Sequence, residues 1–204
     1  ILPYIPELLN GIKSILIDPI PEVRTASAMA IRSLNESLGV EGSNDDFDGV
    51  YQWLMTLLND ETTNNVQRFG AAQGLSELIA SYHSDDKVSK MLPIILDGLQ
   101  HDNAVVRESY CQIFVYLPKA LAADFPYWME QIIPPLLNLL GDDKEPVRSC
   151  CLKGLKIIVY MFHQTEFDLL LELLEEGLEF EDYRVRESTL ILIGDLLNGL
   201  AGNE

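Results

Sequence analysis

Asp18-Pro19-Ile20-Pro21-Glu22-Val23-Arg24 decides how this chain folds. Leu8, Leu9, Ile12, Ile15 and Leu16 lead into it at helical spacing, and Val23, Ala26, Ala30, Ile31, Leu34 and Leu38 continue that spacing beyond it. Between them an acid and two prolines end one helix and start another. Pro21 falls near the first turn of the second helix, where a missing N–H costs little. The junction returns four times, at Asn65-Val66-Gln67-Arg68, Ala104-Val105-Val106-Arg107, Glu145-Pro146-Val147-Arg148 and Arg184-Val185-Arg186. Its arginines stand 44, 39, 41 and 38 residues apart.

A period of about 40 residues with two helices in each predicts an all-α chain, a HEAT-repeat superhelical solenoid of about five antiparallel helix pairs. The repeats are expected over about residues 1–39, 47–82, 85–118, 124–163 and 164–200, as one continuous segment. Each apolar stripe is too wide for a lone amphipathic helix, so every pair must bury one face on its partner and another on adjacent repeats. Neither end carries the polar outer face of a capping repeat, which points to a piece of a longer solenoid.

Within this frame Val50, Trp53, Leu54, Leu57 and Leu58 mark the second A helix, after an acidic loop from Glu41 to Asp46. Gly70 and Gly74 share one face of the next helix, where each costs roughly 1 kcal/mol against alanine. Close approach of a neighbouring helix explains them. A phosphate-cradling loop does not, because no strand precedes them and the spacing fits neither glycine motif. Pro93 and Pro134 each lie fourteen residues before a turn arginine and are expected to kink or restart their A helices. Gly98 and Gly177 each lie nine residues before one. The later B helices bury Val106, Tyr110, Ile113, Phe114 and Leu117, ending before Pro118; then Val147, Cys151, Leu155, Ile158 and Val159; then Val185, Thr189, Leu192, Ile193, Leu196 and Leu200.

Of 204 residues, 48% are apolar, enough for a substantial core, and the formal charge is −18. That charge argues against a duplex-binding surface and fits a basic protein partner. No run is long and apolar enough to span a membrane, and no signal-peptide pattern opens the chain. Cys111, Cys150 and Cys151 are odd in number, as in a reduced intracellular protein. Asn35-Glu36-Ser37 matches a glycosylation triplet, without other signs of secretion.

The turn arginines are the first candidates for chemistry. A binding role would set them on phosphate or an acidic peptide. A structural role pairs Arg24 with Asp18, Arg107 with Asp102, Arg148 with Asp143 and Arg186 with Glu181, five or six residues apart, with Arg68 at the matching place. Stacked repeats would link these pairs into a ladder of charge-assisted hydrogen bonds, and this reading is preferred. His83, His101 and His163 lack partners at metal-ligand spacing. Glu172, Glu175, Glu176, Glu179, Glu181 and Asp182 read as a solvated face rather than a catalytic pair, which would need burial. Cys150 and Cys151 read as packing residues, and Phe125, Tyr127 and Trp128 as closure between repeats. Lys144, Lys153 and Lys156 are the one compact basic group left over, and the place to look for a partner contact. No nucleophile comes with a base, so no enzyme, metal or cofactor is expected.

Asp18 to Arg24, Gly70-Ala71-Ala72-Gln73-Gly74-Leu75, Tyr116-Leu117-Pro118, Ile132-Ile133-Pro134 and Gly194-Asp195-Leu196-Leu197 carry a further likeness. In that order they resemble the general control nonderepressible one family, very large eukaryotic HEAT-repeat translational activators. The resemblance implies a cytoplasmic, non-enzymatic scaffold that binds stalled or collided ribosomes. It also implies help in activating the general amino-acid control kinase, which phosphorylates initiation factor two on its alpha subunit. A HEAT scaffold of another class, nuclear-transport receptor-like or phosphatase scaffold-like, is the alternative. The acidic stretch from Glu41 to Asp48, and Arg32 with Ser33 in place of small apolar residues, depart from the family pattern and argue against RNA contact by the first two repeats. Little direct nucleic-acid binding is expected of so acidic a segment.

Overall fold

Apolar residues at helical spacing, broken by acid- and proline-bearing turns, give helices and no strand among the described residues. These are residues 4–38, 45–82 and 85–201 of a computed structural model. The helices are α1 (Ile5–Leu16), α2 (Pro21–Leu38), α3 (Asp45–Asn59), α4 (Asn65–Ala80), α5 (Asp85–Gly98), α6 (Ala104–Leu121), α7 (Met129–Leu139), α8 (Glu145–Phe162), α9 (Phe167–Glu175) and α10 (Tyr183–Ala201). Tighter 3-10 turns occupy Ala122–Trp128 and Glu176–Glu179. The start of the acidic loop, Glu41 to Asn44, and His83 lie outside the described residues. Two compact units divide the chain, residues 1–95 and 96–204.

In the first unit α1 packs on α2, α3 on α4, and α2 on α4. Leu16, Ile31, Leu54, Leu58, Leu75 and Leu78 are fully buried there, each contributing about 1.5–3 kcal/mol. Gly70 and Gly74 let α4 close on the end of α1. A Cβ on Gly70 would overlap the Leu16 carbonyl, and one on Gly74 would stand 2.6 Å from Leu16 Cδ2. α4 opens on a capping box, with Gln67 N–H donating to Asn64 Oδ1 (3.0 Å) and Asn64 N–H donating to Gln67 Oε1 (3.2 Å).

The buried face of α2 differs from the apolar stripe that the sequence marks. Arg24, Ser27, Ala28, Ile31 and Asn35 are buried, whereas Ala26 is exposed and Val23, Ala30, Leu34 and Leu38 are only half-buried. The reason is the seam with α4, whose polar groups satisfy those of α2. Asn35 Nδ2 donates to Ser81 Oγ (2.6 Å) and Gln73 Nε2 to Thr25 Oγ1 (2.8 Å). A hydrogen-bonded polar side chain is buried at little cost. The same bond removes Asn35, 3% exposed, from the surface where a glycan could be attached.

In the second unit α6 packs on α8, α8 on α10, α7 on α8, and α9 on α10. Phe125 stacks on Phe162 with ring centroids 5.4 Å apart, and Trp128 is buried, while Tyr127 is 73% exposed. Two glycines repeat one packing device. A Cβ on Gly98 would stand 2.5 Å from the Tyr110 ring, and one on Gly177 would overlap Thr189 Oγ1. Tyr110 and Thr189 each follow a turn arginine by three residues, so the glycine at the end of an A helix seats the same B-helix position in both repeats.

The prolines interrupt less than their sequence positions imply. α5 runs through Pro93, α7 through Pro134 and Pro135, and α6 passes Pro118 to end at Leu121. Pro93 is exposed and Pro134 and Pro135 half-buried, so water can serve the carbonyls they free. At Pro118 the freed carbonyl is that of Phe114, and α8 covers it with Gly154, whose Cβ would lie 3.3 Å from the oxygen.

Candidate partner-contact site

Each turn arginine is the fourth residue of its even-numbered helix, at Arg24, Arg68, Arg107, Arg148 and Arg186. From there the guanidinium reaches back into the turn. Arg24 Nη1 donates to the carbonyls of Asp18 (2.7 Å) and Pro19 (3.0 Å). Arg107 Nη1 donates to those of His101 (2.8 Å) and Asp102 (2.9 Å), and Arg186 Nη1 to those of Phe180 (2.6 Å) and Glu181 (2.7 Å). Arg68 Nη1 bonds the Thr63 carbonyl at 2.6 Å, and Arg148 Nη1 the Asp142 carbonyl at 2.6 Å.

This corrects the expected pairing in its atoms. The bonds to Asp18, Asp102 and Glu181 go to main-chain oxygens rather than carboxylates, and Arg148 takes Asp142 in place of Asp143. A carbonyl in the turn is fixed by the backbone, whereas a carboxylate there has a closer use. Asp18 Oδ1 accepts from Ile20 N–H (2.8 Å), Asp142 Oδ1 from Lys144 N–H (2.8 Å) and Asp182 Oδ1 from Arg184 N–H (2.9 Å), the side-chain turn that aspartate favours.

Between successive turns of the second unit, Asp142 and its two neighbours carry the links. Arg107 grips the Asp142 carboxylate with Nε and Nη2, and its Nη2 lies 3.1 Å from Asp143 Oδ1. From the next repeat Arg184 donates Nη2 to the Gly141 carbonyl (2.8 Å) and Nη1 to the Asp142 carbonyl (3.3 Å). Arg184 also forks onto Asp182 at 2.6 Å, and that guanidinium holds the Asp182 carboxyl down to about 2. Glu172, Glu175, Glu176, Glu179 and Glu181 are exposed.

The three lysines do not form a bare basic patch. Lys144 stands at the N-cap position of α8 without a side-chain capping bond, and its Nζ meets Asp143 Oδ2 at 3.0 Å. Lys153 and Lys156 lie two and three turns further on, and Lys156 Nζ meets Asp195 Oδ2 of α10 at 3.3 Å. Lys153 and Lys156 do share one exposed face of α8 with Ser149 and Tyr160. Tyr160 is 79% exposed. Beside this face, between the ends of α8 and α10, runs a groove of about 830 Å³ lined by Lys156, Tyr160, His163, Gln164, Asp195 and Asn198. The sequence reading missed it because its walls come from two helices some 35 residues apart.

His163 closes the C-terminal end of α8. Its Nδ1 lies 2.8 Å from the Tyr160 carbonyl, which can only accept, so Nδ1 carries the hydrogen and the neutral ring offers Nε2 as an acceptor. Gly199 makes room for the ring: a Cβ there would stand 2.7 Å from His163 Cδ2. His101 Nδ1 accepts from Asn103 N–H within its turn. Cys111 and Cys151 are fully buried and Cys150 nearly so, with Cys151 Sγ donating to the Leu136 carbonyl (2.9 Å). Among the described residues no three His, Cys, Asp or Glu side chains converge as metal ligands.

The fold has relatives among solved structures. One is a Kap121p mutant, matched with a TM-score of 0.56 and 15% identity over 96% of this chain and 21% of that one; the likeness is one of fold. Sequence comparison is more specific. The chain is 37% identical over 202 residues to the stalled ribosome sensor GCN1 of Homo sapiens, and 38% identical over 201 residues to Protein ILITYHIA of Arabidopsis thaliana. It is 34% identical over 202 residues to the eIF-2-alpha kinase activator GCN1 of Saccharomyces cerevisiae. These alignments cover 98–99% of this chain, which spans 7% of the length of each relative. A profile described as stalled ribosome sensor GCN1-like, HEAT repeats, matches residues 21–201. This chain belongs to the GCN1-like HEAT-repeat family.

Proposed function

We propose that this chain is one continuous run of repeats, over about residues 1–39, 47–82, 85–118, 124–163 and 164–200, in a much longer cytoplasmic scaffold. That scaffold engages stalled or collided ribosomes and promotes activation of the kinase that phosphorylates initiation factor two alpha. The carrying observation is the 34–37% identity, across nearly the whole chain, to proteins named as a stalled ribosome sensor and as an eIF-2-alpha kinase activator. The same identities favour this reading over a nuclear-transport or phosphatase scaffold.

The segment's part is non-enzymatic. Its thiols serve packing, its described histidines close a turn and a helix end, and its turn arginines staple the backbone. The charge of −18 supports little direct nucleic-acid binding, since phosphate contacts require clustered cations. Among the described residues no helix is long and apolar enough to cross a membrane.

Sedimentation of the full-length protein with polysomes after induced stalling tests the reading. Co-migration that grows with stalling is expected, and persistent absence from the polysome fractions overturns it. The isolated segment should show only weak RNA binding at physiological salt; tight, steeply salt-dependent binding would contradict that part.

A further inference from the structure

We propose that the groove between α8 and α10 binds an extended, arginine-bearing peptide strand, an assignment that stands independently of the ribosome reading. The argument begins with Tyr160. It is 79% exposed at the groove, and its ring offers an open face to a guanidinium. Asp195 lies along the same groove, with a carboxylate that holds Lys156 at only 3.3 Å across a side-chain pair 44% exposed on both sides. A pair so solvated is weak, so an incoming arginine fork can replace the lysine on it.

The remaining walls suit a peptide backbone. Asn198 and Gln164 carry amides that both donate and accept, and His163 presents Nε2 as an acceptor because its Nδ1 hydrogen is committed to the Tyr160 carbonyl. The groove also lies at the C-terminal ends of both helices, where the helix dipole favours a cation. A volume of about 830 Å³ accommodates a short stretch of peptide rather than a folded surface. The chain's charge of −18 draws a basic strand toward it.

The rival occupant is an acidic or phosphate-bearing ligand on Lys153 and Lys156, and Lys156 separates the two. For a basic strand Lys156 is a competitor; for an acidic one it is a contact. The test is fluorescence anisotropy of the 204-residue chain with a short labelled peptide alternating arginine with glycine and serine. A glutamate peptide and a uridine-rich RNA serve as the other probes. Tyr160→Ala and Asp195→Asn should each weaken the arginine peptide roughly two- to fivefold. Lys156→Ala should tighten it roughly twofold. All three side chains are exposed, so circular dichroism melts of the variants should match the parent. Equal affinity in Tyr160→Ala and Asp195→Asn, weakening by Lys156→Ala, or preference for the glutamate peptide or RNA would overturn the assignment.

Discussion

Arg107 donates two hydrogen bonds to the carboxylate of Asp142, 35 residues further along the chain, at 2.8 Å from Nε and 3.0 Å from Nη2. Both side chains are largely withdrawn from water, 13% and 5% exposed. Asp142 also receives Lys144 N–H and offers its own carbonyl to Arg148 and Arg184, so one residue serves two turns. Asp142→Ala removes two of the guanidinium's bonds and the turn cap, leaving it Asp143 and two turn carbonyls, and should cost about 1–3 kcal/mol. Arg107→Lys keeps the charge but loses the two-pronged geometry and should cost about 1 kcal/mol. Urea unfolding of each variant checks both values.

Glycines in similar helices should respond oppositely to alanine. At Gly70 the new methyl meets the Leu16 carbonyl, and at Gly74 the Leu16 and Leu54 side chains. These variants should lose about 2 kcal/mol or more through overpacking. Gly11 and Gly194 have nothing within 4 Å of a new Cβ, so alanine there should add about 0.5–1 kcal/mol of helix propensity. Thermal melts of the four single variants separate the two classes.

Tyr82 gives the protein an alkaline limit. Burial, reinforced by Asp48 and Tyr51, pushes its hydroxyl up to about 12, against about 10 in an unfolded chain. The unfolded form therefore releases the proton first. This contribution to stability is whole below about pH 10 and declines as the pH rises through about 12. Denaturant midpoints measured across that window should fall, and Tyr82→Phe should flatten the fall.

The thiols should be inert until the chain opens. A hydrogen bond with Cys151, then burial, holds the Cys111 thiol well above its usual range, and burial does the same for Cys150. A thiol that stays protonated and enclosed reacts slowly. Labelling with a chromogenic disulfide reagent should leave all three cysteines unmodified in the native chain and modify all three in denaturant. Rapid native labelling of Cys111 or Cys151 would show that the α6–α8 seam opens.

How much of this was legible in the sequence depends on how local each feature is. The turn arginines were legible because they recur at one helix position, and Gly70 and Gly74 because a helix tolerates such residues only for a reason. The acceptor atom was not, since a spacing of five or six residues names Asp102 without distinguishing its carbonyl from its carboxylate. Asp142 as the common acceptor could not be read either, because its partners lie 35 and 42 residues away. The buried side of α2 was misread for a related cause: Asn35 and Thr25 look like surface residues until Ser81 and Gln73 are set opposite them. The groove residues Tyr160, His163 and Asn198 carry no motif, and only the packing of α8 on α10 brings them together.

Anchoring on main-chain oxygens has a consequence for how such repeats change over time. A guanidinium that reads carbonyls is indifferent to the side chains those carbonyls belong to, and here His101 and Phe180 hold the post as well as Asp18 does, with Thr63 serving one place later. Side chains at the first turn position that make no bond of their own, unlike Asp18, His101 and Asp142, are therefore released from the duty of holding the fold. Selection can recolour them in charge and size, repeat by repeat, while the arginine beneath keeps the bend unchanged.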